Sequence, residues 1–194
     1  MEILKTGNPT LVQKSKKVNK INKRLIDQIK EMENALLATR DPIGVGLAAP
    51  QVGIPLRLFL AKPSEKSPIF VFINPQIVAS SATSAANGAS SEPKEEQMKT
   101  KTKKGPKTLL EGCLSIPNIW GNVTRKRELV LEYLDEKGKK HKRRFKGFLA
   151  TIIQHEIDHL EGILFTKRVM EQSQKLYRSY KNEKGEDEFD EIKV

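Results

Sequence analysis

The chain has 194 residues, of which 37% are apolar and 30% are charged, and 35 basic against 24 acidic residues give it a net charge of +11. This length predicts one domain, or one domain with an appendage, that folds around a core without disulfides. The lone cysteine and the lack of a secretory segment or a membrane-length apolar run predict a polar, soluble protein of a reducing compartment. These features exclude a disulfide scaffold, a membrane protein and a repeat array.

The positive charge is concentrated in residues 99–107 and 137–146. A surplus of this size favours contact with nucleic acid, including ribosomal RNA, although a solvated basic surface is the simpler interpretation. No RNP, zinc-knuckle or P-loop motif accompanies the two stretches. Nothing in the sequence therefore indicates specific recognition of DNA.

Apolar residues recur at helical spacing between residues 22 and 39 and predict a helix with Asn22 as its N-cap. The following segment, residues 41–55, reads DPIGVGLAAPQVGIP and holds too many glycines and prolines for a regular helix. It predicts a loop whose backbone closely approaches another group. Three short strands are expected next, at residues 56–61, 69–73 and 76–79.

Residues 80–108 differ from the rest because a single methionine is their only large apolar residue. Such a segment buries too little apolar surface to offset the entropy of ordering, so it predicts a flexible, disordered insertion. The alternative is a docking arm that becomes ordered on a partner.

Beyond the insertion, residues 128–135 alternate between apolar and polar and predict a half-buried strand. This strand is expected to return antiparallel through residues 140–145. Residues 147–161 are apolar around most of a helix, which predicts a buried helix with Gly162 at its C-terminal cap.

A short final helix is expected at residues 170–180, followed by a polar tail. The chain is therefore divided into a single domain over residues 1–170 and a C-terminal part over residues 171–194. This C-terminal part holds the short helix and the tail.

The predicted buried helix contains His155-Glu156-x-x-His159. Two histidines four residues apart project from the same helix face and can bind one metal ion, and the glutamate can reach a water at that ion. The alternative for any single histidine is a hydrogen-bonded imidazole in the core. The chain has only three histidines and two of them take this spacing, so the pattern favours a metal site.

A catalytic site of this kind uses a third protein ligand and leaves one position open. No histidine follows His159 in the sequence, and Glu161 lies too close to it along the helix. The only cysteine, Cys113, lies upstream between Gly112 and Pro117, which suggest a constrained backbone. A Cys113 thiolate is therefore a candidate ligand, and the alternative is a buried free cysteine that packs as a small apolar residue.

Three segments resemble, in order, the three motifs of the peptide deformylases. They read GVGLAAPQVG at residues 44–53, EGCLSIP at residues 111–117 and QHEIDHLEG at residues 154–162. The resemblance covers nearly the whole chain and implies an α+β fold, with antiparallel β-sheets packed around a central buried helix. It also implies a hydrolase that removes formyl from the N-terminal formyl-methionine of newly synthesised proteins.

The resemblance further implies a role for each matching residue. Cys113, His155 and His159 would bind the metal, which is Fe2+ by family usage, with Zn2+, Ni2+ or Co2+ as alternatives. Glu156 would be the general acid and base when a metal-held water attacks the formyl carbon. The other matches are the oxyanion donors Gln51 (side-chain amide) and Leu114 (backbone N–H), Gly46 as a close approach to the metal, and the methionine-pocket walls Val45, Leu109, Phe148 and Ile152.

The implied partners are N-formylmethionyl nascent peptides, bound as an added strand near residues 44–46, and the ribosome surface, contacted through the basic segments. No membrane contact is expected, and the implied compartment is the cytoplasm. Two features depart from the family pattern. The insertion replaces a usually short connection, and Trp120 stands where many members have an arginine near the peptide.

Two other classes of function fit part of the pattern. A HExxH metallopeptidase that cuts internal peptide bonds would need a long cleft and usually a downstream third ligand. A basic ribosome-associated module with a structural metal would need four protein ligands, whereas the sequence offers three. The ligand count therefore favours catalysis over a structural metal.

Overall fold

The computed structural model describes residues 1–80 and 107–193. This part of the chain folds into two antiparallel β-sheets and three α-helices, which confirms the predicted α+β class. None of its helices combines the length and the apolar character that crossing a membrane requires.

Local sequence signals set the ends of the two longer helices. Helix α1 is Lys23–Ala38, and the Asn22 side chain caps it by accepting a hydrogen bond from a first-turn N–H at 3.0 Å. Helix α2 is Gly147–Leu160, and Gly162 follows it in the left-handed conformation at φ +70°. Both predicted caps are thereby confirmed. The shorter segments are α3 (Phe165–Glu171) and two 3₁₀ turns, Pro9–Val12 and Ala49–Val52.

The strands form two sheets whose neighbours are all antiparallel. The first has the order β1-β2-β3-β6-β7 and the second the order β4-β5-β8-β9. The strands are β1 (Gly46–Ala48), β2 (Leu58–Ala61), β3 (Phe70–Ser80), β4 (Lys107–Cys113), β5 (Ile116–Arg125), β6 (Glu128–Leu134), β7 (Lys140–Lys146), β8 (Leu176–Lys181) and β9 (Asp187–Ile192).

Strand β2 lies inside the core because both faces of the first sheet are covered there. Successive side chains of a strand point to opposite faces. Leu58 and Leu60 accordingly pack in the cluster that includes α1, whereas Phe59 and Ala61 pack in the cluster that includes α2. Phe59 also stacks on Phe72 of β3 with ring centroids 4.7 Å apart. Helix α2 is therefore fixed against the first sheet.

The second sheet packs against α3. Val123 of β5 and Leu176 of β8 form a buried cluster with Phe165 and Val169 of α3. Gly121 of β5 allows the close packing, since a Cβ there would lie 2.5 Å from Val169. This packing holds β4 and β5 in place, and Cys113 at the end of β4 is part of the same cluster.

Two boundaries predicted near the insertion were wrong. Residues 76–79 are not a separate strand but belong to β3, which continues through irregularities in its register with β6. Ser80, Lys107 and Thr108 are strand residues rather than parts of the insertion. The rest of the predicted insertion, residues 81–106, lies outside the described residues.

The prediction for the C-terminal part, residues 171–194, was also wrong. The expected helix at residues 170–180 ends in the structure at Glu171, and the chain then forms the hairpin of β8 and β9. Strand β8 pairs with β5, more than 50 residues earlier, as in the pair Trp120↔Tyr177. Such a non-local ladder leaves no signal in the local spacing of apolar residues, which was the basis of the prediction.

Replacing the cap residue of α1 tests this account of the helix. Asn22→Ala should lower the free energy of unfolding by about 1 kcal/mol, because the first turn of α1 loses its side-chain acceptor. Urea unfolding followed by circular dichroism measures the change. The matched control is Asn22→Asp, which should stay near wild type because a carboxylate also accepts the bond. An equal loss in both variants would contradict the capping role.

Candidate metal centre

Cys113 is placed by an irregularity between β4 and β5. Regular pairing runs as far as Gly112↔Trp120, after which the register shifts and Cys113 pairs with Ile116 across a tight turn. A bulge of this kind redirects a side chain from the position that a regular strand would give it. The buried Cys113 Sγ lies 3.2 Å from Nε2 of His159.

Helix α2 carries the two histidines of the motif. Their rings lie one above the other on one face, with centroids 5.0 Å apart. Three side chains each offer one ligand atom, and these atoms lie within 4.8 Å of one another; they belong to Cys113, His155 and His159. The structure thus brings together the three residues that the sequence analysis selected.

The surroundings of Cys113 favour its thiolate form. Burial opposes a charge on the sulfur, but the neighbouring His159 and His155 hold the pKa of Cys113 well below its usual value. Burial likewise opposes a charge on His155, yet its hydrogen bonds with Cys113 and Glu111 hold its pKa well above the usual value. A thiolate beside two imidazoles is a donor set that suits zinc or ferrous iron.

A buried network of charges orients His155. Its Nδ1 lies 3.0 Å from Oε2 of Glu111, and Glu111 accepts two hydrogen bonds from Arg125 at 2.8 and 2.9 Å. Arg125 also donates to Asp158 at 2.6 Å. Burial opposes ionisation of Glu111, but the bonds from Arg125 and His155 lower its pKa to about 2. Because Glu111 engages Nδ1, the other ring nitrogen of His155 is left to face Cys113.

The sequence analysis did not select Glu111, Arg125 or Asp158 as site residues. Glu111 had a signal, since it opens the EGCLSIP segment, and Asp158 lies within the helix motif. Arg125 had none, because it meets Glu111, 14 residues away, only once β4 and β5 pair. Asp158 also accepts a bond from Arg168 at 2.7 Å, so two carboxylates and two guanidinium groups alternate and their charges balance.

Glu156 is almost completely buried beside the histidines, and burial raises its pKa to about 7. Its Oε2 atom has no hydrogen-bond partner among the described residues. Gly46 of β1 makes room for the carboxylate, since a Cβ at Gly46 would meet Oε1 of Glu156 and the side chain of Ile152. The close backbone approach predicted for residues 41–55 is therefore confirmed, and the group approached in the structure is Glu156.

Gln51 lies on the 3₁₀ turn that follows β1 and is buried. Its Oε1 accepts a hydrogen bond from the Ala48 N–H at 2.8 Å, which leaves the amide nitrogen pointing the other way. That nitrogen donates to Sγ of Cys113 at 3.5 Å and to Oγ of Ser115 at 3.2 Å. The Gln51 amide is thus a donor aimed into the centre.

Leu114 lies in the turn directly after Cys113, where Nζ of Lys5 donates to its carbonyl at 2.8 Å.

The four predicted pocket residues are only partly brought together. Val45 and Ile152 pack in one apolar cluster, whereas Leu109 is half-buried on β4 and Phe148 at the start of α2 is exposed. The methionine pocket stays a prediction.

A cleft of about 880 Å³ leads from the surface to Cys113. One wall is formed by residues 39–43, and the other by Trp120 together with the β8–β9 hairpin. Within the described part of the chain, none of the four predicted pocket residues lines this cleft. The predicted methionine pocket therefore does not coincide with this cleft, whereas Trp120, which the family resemblance places near the peptide, lines it.

The described residues fit a divalent metal ion. The three donors lie close enough to share one ion, and three protein ligands leave one position open for a reacting group. A buried carboxylate oxygen without a partner, such as Oε2 of Glu156, is costly. A hydrogen-bond donor at the open position would give Oε2 of Glu156 a partner.

Comparisons with known proteins agree with this geometry. The model of the polypeptide deformylase family matches residues 1–175. Peptide deformylase 2 of Prochlorococcus marinus (strain MIT 9313) is 36% identical over 177 residues, which are 90% of this chain and 76% of that protein. The peptide deformylase of Treponema pallidum (strain Nichols) is 39% identical over 171 residues, which are 88% of this chain and 89% of that protein. The crystal structure of peptide deformylase from Thermotoga maritima matches with a TM-score of 0.69 and 29% identity, over 87% of this chain and 96% of that one.

Neutralising Glu111 tests the role of the charge network. Glu111→Gln should weaken metal binding by roughly 10- to 100-fold, because His155 loses the carboxylate that orients its ring. It should also destabilise the fold, because Arg125 loses a buried partner. Metal titration and urea unfolding measure the two effects. The control is Glu161→Gln, a half-exposed carboxylate outside the centre, which should leave metal binding unchanged. Equal metal affinity in both variants would refute the orienting role.

Proposed function

The chain belongs to the peptide deformylase family, and we propose that Cys113, His155 and His159 hold its divalent metal ion while Glu156 serves as general acid and base. It is a hydrolase that removes the formyl group from the N-terminal formyl-methionine of newly synthesised proteins and releases formate. This activity excludes the internal metallopeptidase and the non-enzymatic binding module. The residue assignment rests on the three ligand atoms that converge beside the unpartnered oxygen of Glu156.

The protein's part in the chemistry is mainly proton transfer. A divalent ion in this site supplies a Lewis acid that polarises the formyl group and makes water a stronger acid. Oε2 of Glu156 accepts a proton from the attacking water and then donates it to the amine nitrogen as the C–N bond breaks. Burial raises the pKa of Glu156 above that of an ordinary carboxyl group, which favours its taking up the proton in the first step.

Two donors stabilise the negative charge that develops on the formyl oxygen. The amide nitrogen of Gln51 is held in place by the bond from Ala48, so it needs no reorganisation during the reaction. The backbone N–H of Leu114 is the second donor. It lies in a turn where Nζ of Lys5 donates a hydrogen bond to the carbonyl oxygen of Leu114. Both donors lie next to Cys113 and therefore act on the formyl oxygen as its negative charge develops.

The formylated peptide binds as an added strand beside β1. This strand lies at the edge of the first sheet, so one side of its backbone has no neighbouring strand in that sheet among the described residues. Its first residue, Gly46, lies against Glu156, which brings the formyl end of such a peptide to the centre. The methionine side chain then enters a pocket formed by Val45, Leu109, Phe148 and Ile152.

We assign Fe2+ as the metal of the native enzyme, with Zn2+, Ni2+ or Co2+ able to occupy the same donors. A soft thiolate with two imidazoles is compatible with each of them. Anaerobic purification and metal analysis, compared with aerobic purification, identify the ion. The proposed compartment is the cytoplasm, where nascent chains are made and where the Cys113 thiol stays reduced.

The ribosome surface is the proposed partner of the basic edge strand β7. This strand lies at the end of the first sheet, and five of its seven residues are lysine or arginine with exposed side chains. Lys142 and Arg144 form ion pairs with Glu132 and Glu128 of β6, and Lys146 also lies opposite Glu128. Exposed ion pairs of this kind contribute little to stability. A dense positive row of this kind favours the phosphates of ribosomal RNA.

Two substitutions separate metal binding from catalysis. Cys113→Ser should reduce both metal content and formate release, because a neutral hydroxyl replaces a thiolate ligand. Glu156→Gln should keep the metal but lower kcat by roughly 100-fold or more, because the proton acceptor is lost. Metal analysis and formate release from formyl-Met-Ala measure both effects. The assignment fails if Cys113→Ser keeps full metal content or if Glu156→Gln stays active.

Charge reversal on β7 tests the proposed ribosome contact. The double variant Lys140→Glu with Arg143→Glu should co-sediment with ribosomes less than wild type at low salt, while turnover of formyl-Met-Ala is unchanged. Added salt should abolish the difference. The matched control is Lys17→Glu with Lys20→Glu, two exposed lysines on the N-terminal segment. Equal losses in both double variants would point to net charge rather than to β7.

A further inference from the structure

We propose that residues 3–6 form an N-terminal strap that positions both oxyanion donors, because it ties the turn of Gln51 to the turn of Leu114. The proposal rests on the oxyanion role that these two residues have in the proposed function. The strap itself lies outside the three sequence motifs, which begin at residue 44.

One part of the strap holds the turn of Gln51. The Leu4 N–H donates to the main-chain carbonyl of Gln51 at 2.8 Å. A Cβ at Gly53 would lie 3.8 Å from Cδ1 of Leu4, so the Leu4 side chain packs on the residue that ends this turn. The side-chain oxygen of Gln51 is already held by Ala48. Main chain and side chain of Gln51 are therefore both fixed, and its amide nitrogen keeps one position.

The other part of the strap holds the turn of Leu114. The Thr6 N–H donates to the carbonyl of Ser115 and Nζ of Lys5 donates to the carbonyl of Leu114, both at 2.8 Å. Ile3 and Leu114 also pack against the same buried cluster. A planar peptide group whose carbonyl is bound cannot rotate freely. The backbone around Leu114, including its N–H, is therefore restricted.

The strap joins two turns that are distant in the sequence. Gln51 and Ser115 are 64 residues apart. A segment of two residues spans at most about 7 Å, so Leu4 and Thr6 hold the carbonyls of Gln51 and Ser115 at neighbouring positions. The relative placement of the two oxyanion donors thus depends on a segment that contains neither of them.

The direct bonds between the two turns are weakened during the reaction, whereas the strap bonds are not. The direct bonds come from the amide nitrogen of Gln51, which donates to Oγ of Ser115 at 3.2 Å and to Sγ of Cys113 at 3.5 Å. An amide nitrogen has only two hydrogens, so a bond to the formyl oxygen takes one of them from these partners. The strap uses main-chain groups and Nζ of Lys5, which do not bind the formyl oxygen. Its bonds therefore hold the turns while the Gln51 amide acts on the substrate.

Lys5 is the strap residue that can be changed without loss of core packing. Its side chain is exposed and borders the cleft to Cys113. Substitutions at exposed positions usually change stability little. A merely structural role of Lys5 would therefore predict almost no effect of its removal, whereas a positioning role predicts slower chemistry in a folded protein.

Replacing Lys5 tests the strap in the whole enzyme. Loss of an oxyanion donor lowers kcat about 100-fold or more. Lys5→Met, which only loosens one donor, should lower kcat for formyl-Met-Ala roughly fivefold, with KM, metal content and melting temperature near wild type. Lys5→Arg should restore kcat, because a guanidinium can donate to the same carbonyl. A wild-type kcat in Lys5→Met, or a change in KM alone, would overturn the proposal.

The matched control is Lys62→Met. Nζ of Lys62 donates to the carbonyl of Ser64 at 2.8 Å, so this lysine also binds a carbonyl at the surface, but in a turn outside the centre. Its replacement changes the net charge by the same amount as Lys5→Met and should leave kcat unchanged. An equal loss of kcat in both variants would show an effect of net charge and would contradict the positioning role.

Hydrogen–deuterium exchange gives a readout that does not depend on turnover. The amides of residues 111–117 should exchange faster in Lys5→Met than in wild type or Lys62→Met, because the turn opens more often, while exchange in α2 stays unchanged. Wild-type exchange at residues 111–117 in Lys5→Met would overturn the strap alone. A Gln51→Ala variant with wild-type kcat would instead contradict the oxyanion role in the proposed function, on which the strap depends.

Discussion

The arrangement of Cys113, His155 and His159 depends on one buried guanidinium group. Arg125 of β5 binds Glu111 of β4 and Asp158 of α2, and all three side chains are less than 10% exposed. Removing one partner would leave a charge buried without compensation, which typically costs about 3–5 kcal/mol. Strand β4 and helix α2 therefore cannot shift independently. This rigidity matters because β4 supplies the Cys113 sulfur and α2 supplies the histidines of one small cluster.

Two buried glutamates near the centre have opposite electrostatic surroundings. Glu111 is surrounded by donors, and its pKa of about 2 keeps it an anion that orients His155. Glu156 is equally buried but has an unpartnered oxygen, and burial raises its pKa to about 7. Titratable groups whose environments separate their pKa values commonly have separate roles. The permanent anion orients His155, while the second glutamate has the environment of a group that can exchange a proton.

The sequence predicted those features of the fold and the site that are fixed by residues close together along the chain. The Asn22 cap and the paired histidines of α2 follow from interactions within one turn of helix, and both were predicted. The meeting of Cys113 with the histidines followed from the motif resemblance. The β8–β9 hairpin was missed because it forms on β5, and Arg125 was missed because it has no partner until β4 and β5 pair. Both features depend on the pairing of strands, which the local spacing of apolar residues does not report.

The same strand, β5, supports the charge network with one face and lines the cleft to Cys113 with the other. Gly121, Val123 and Arg125 alternate on the buried face, toward α3 and the charge network. Trp120 lies on the opposite face, over Gly112 and toward the hairpin. Because the two faces share one backbone fixed by the Arg125 bonds, the cleft wall is fixed relative to Cys113 and the two histidines.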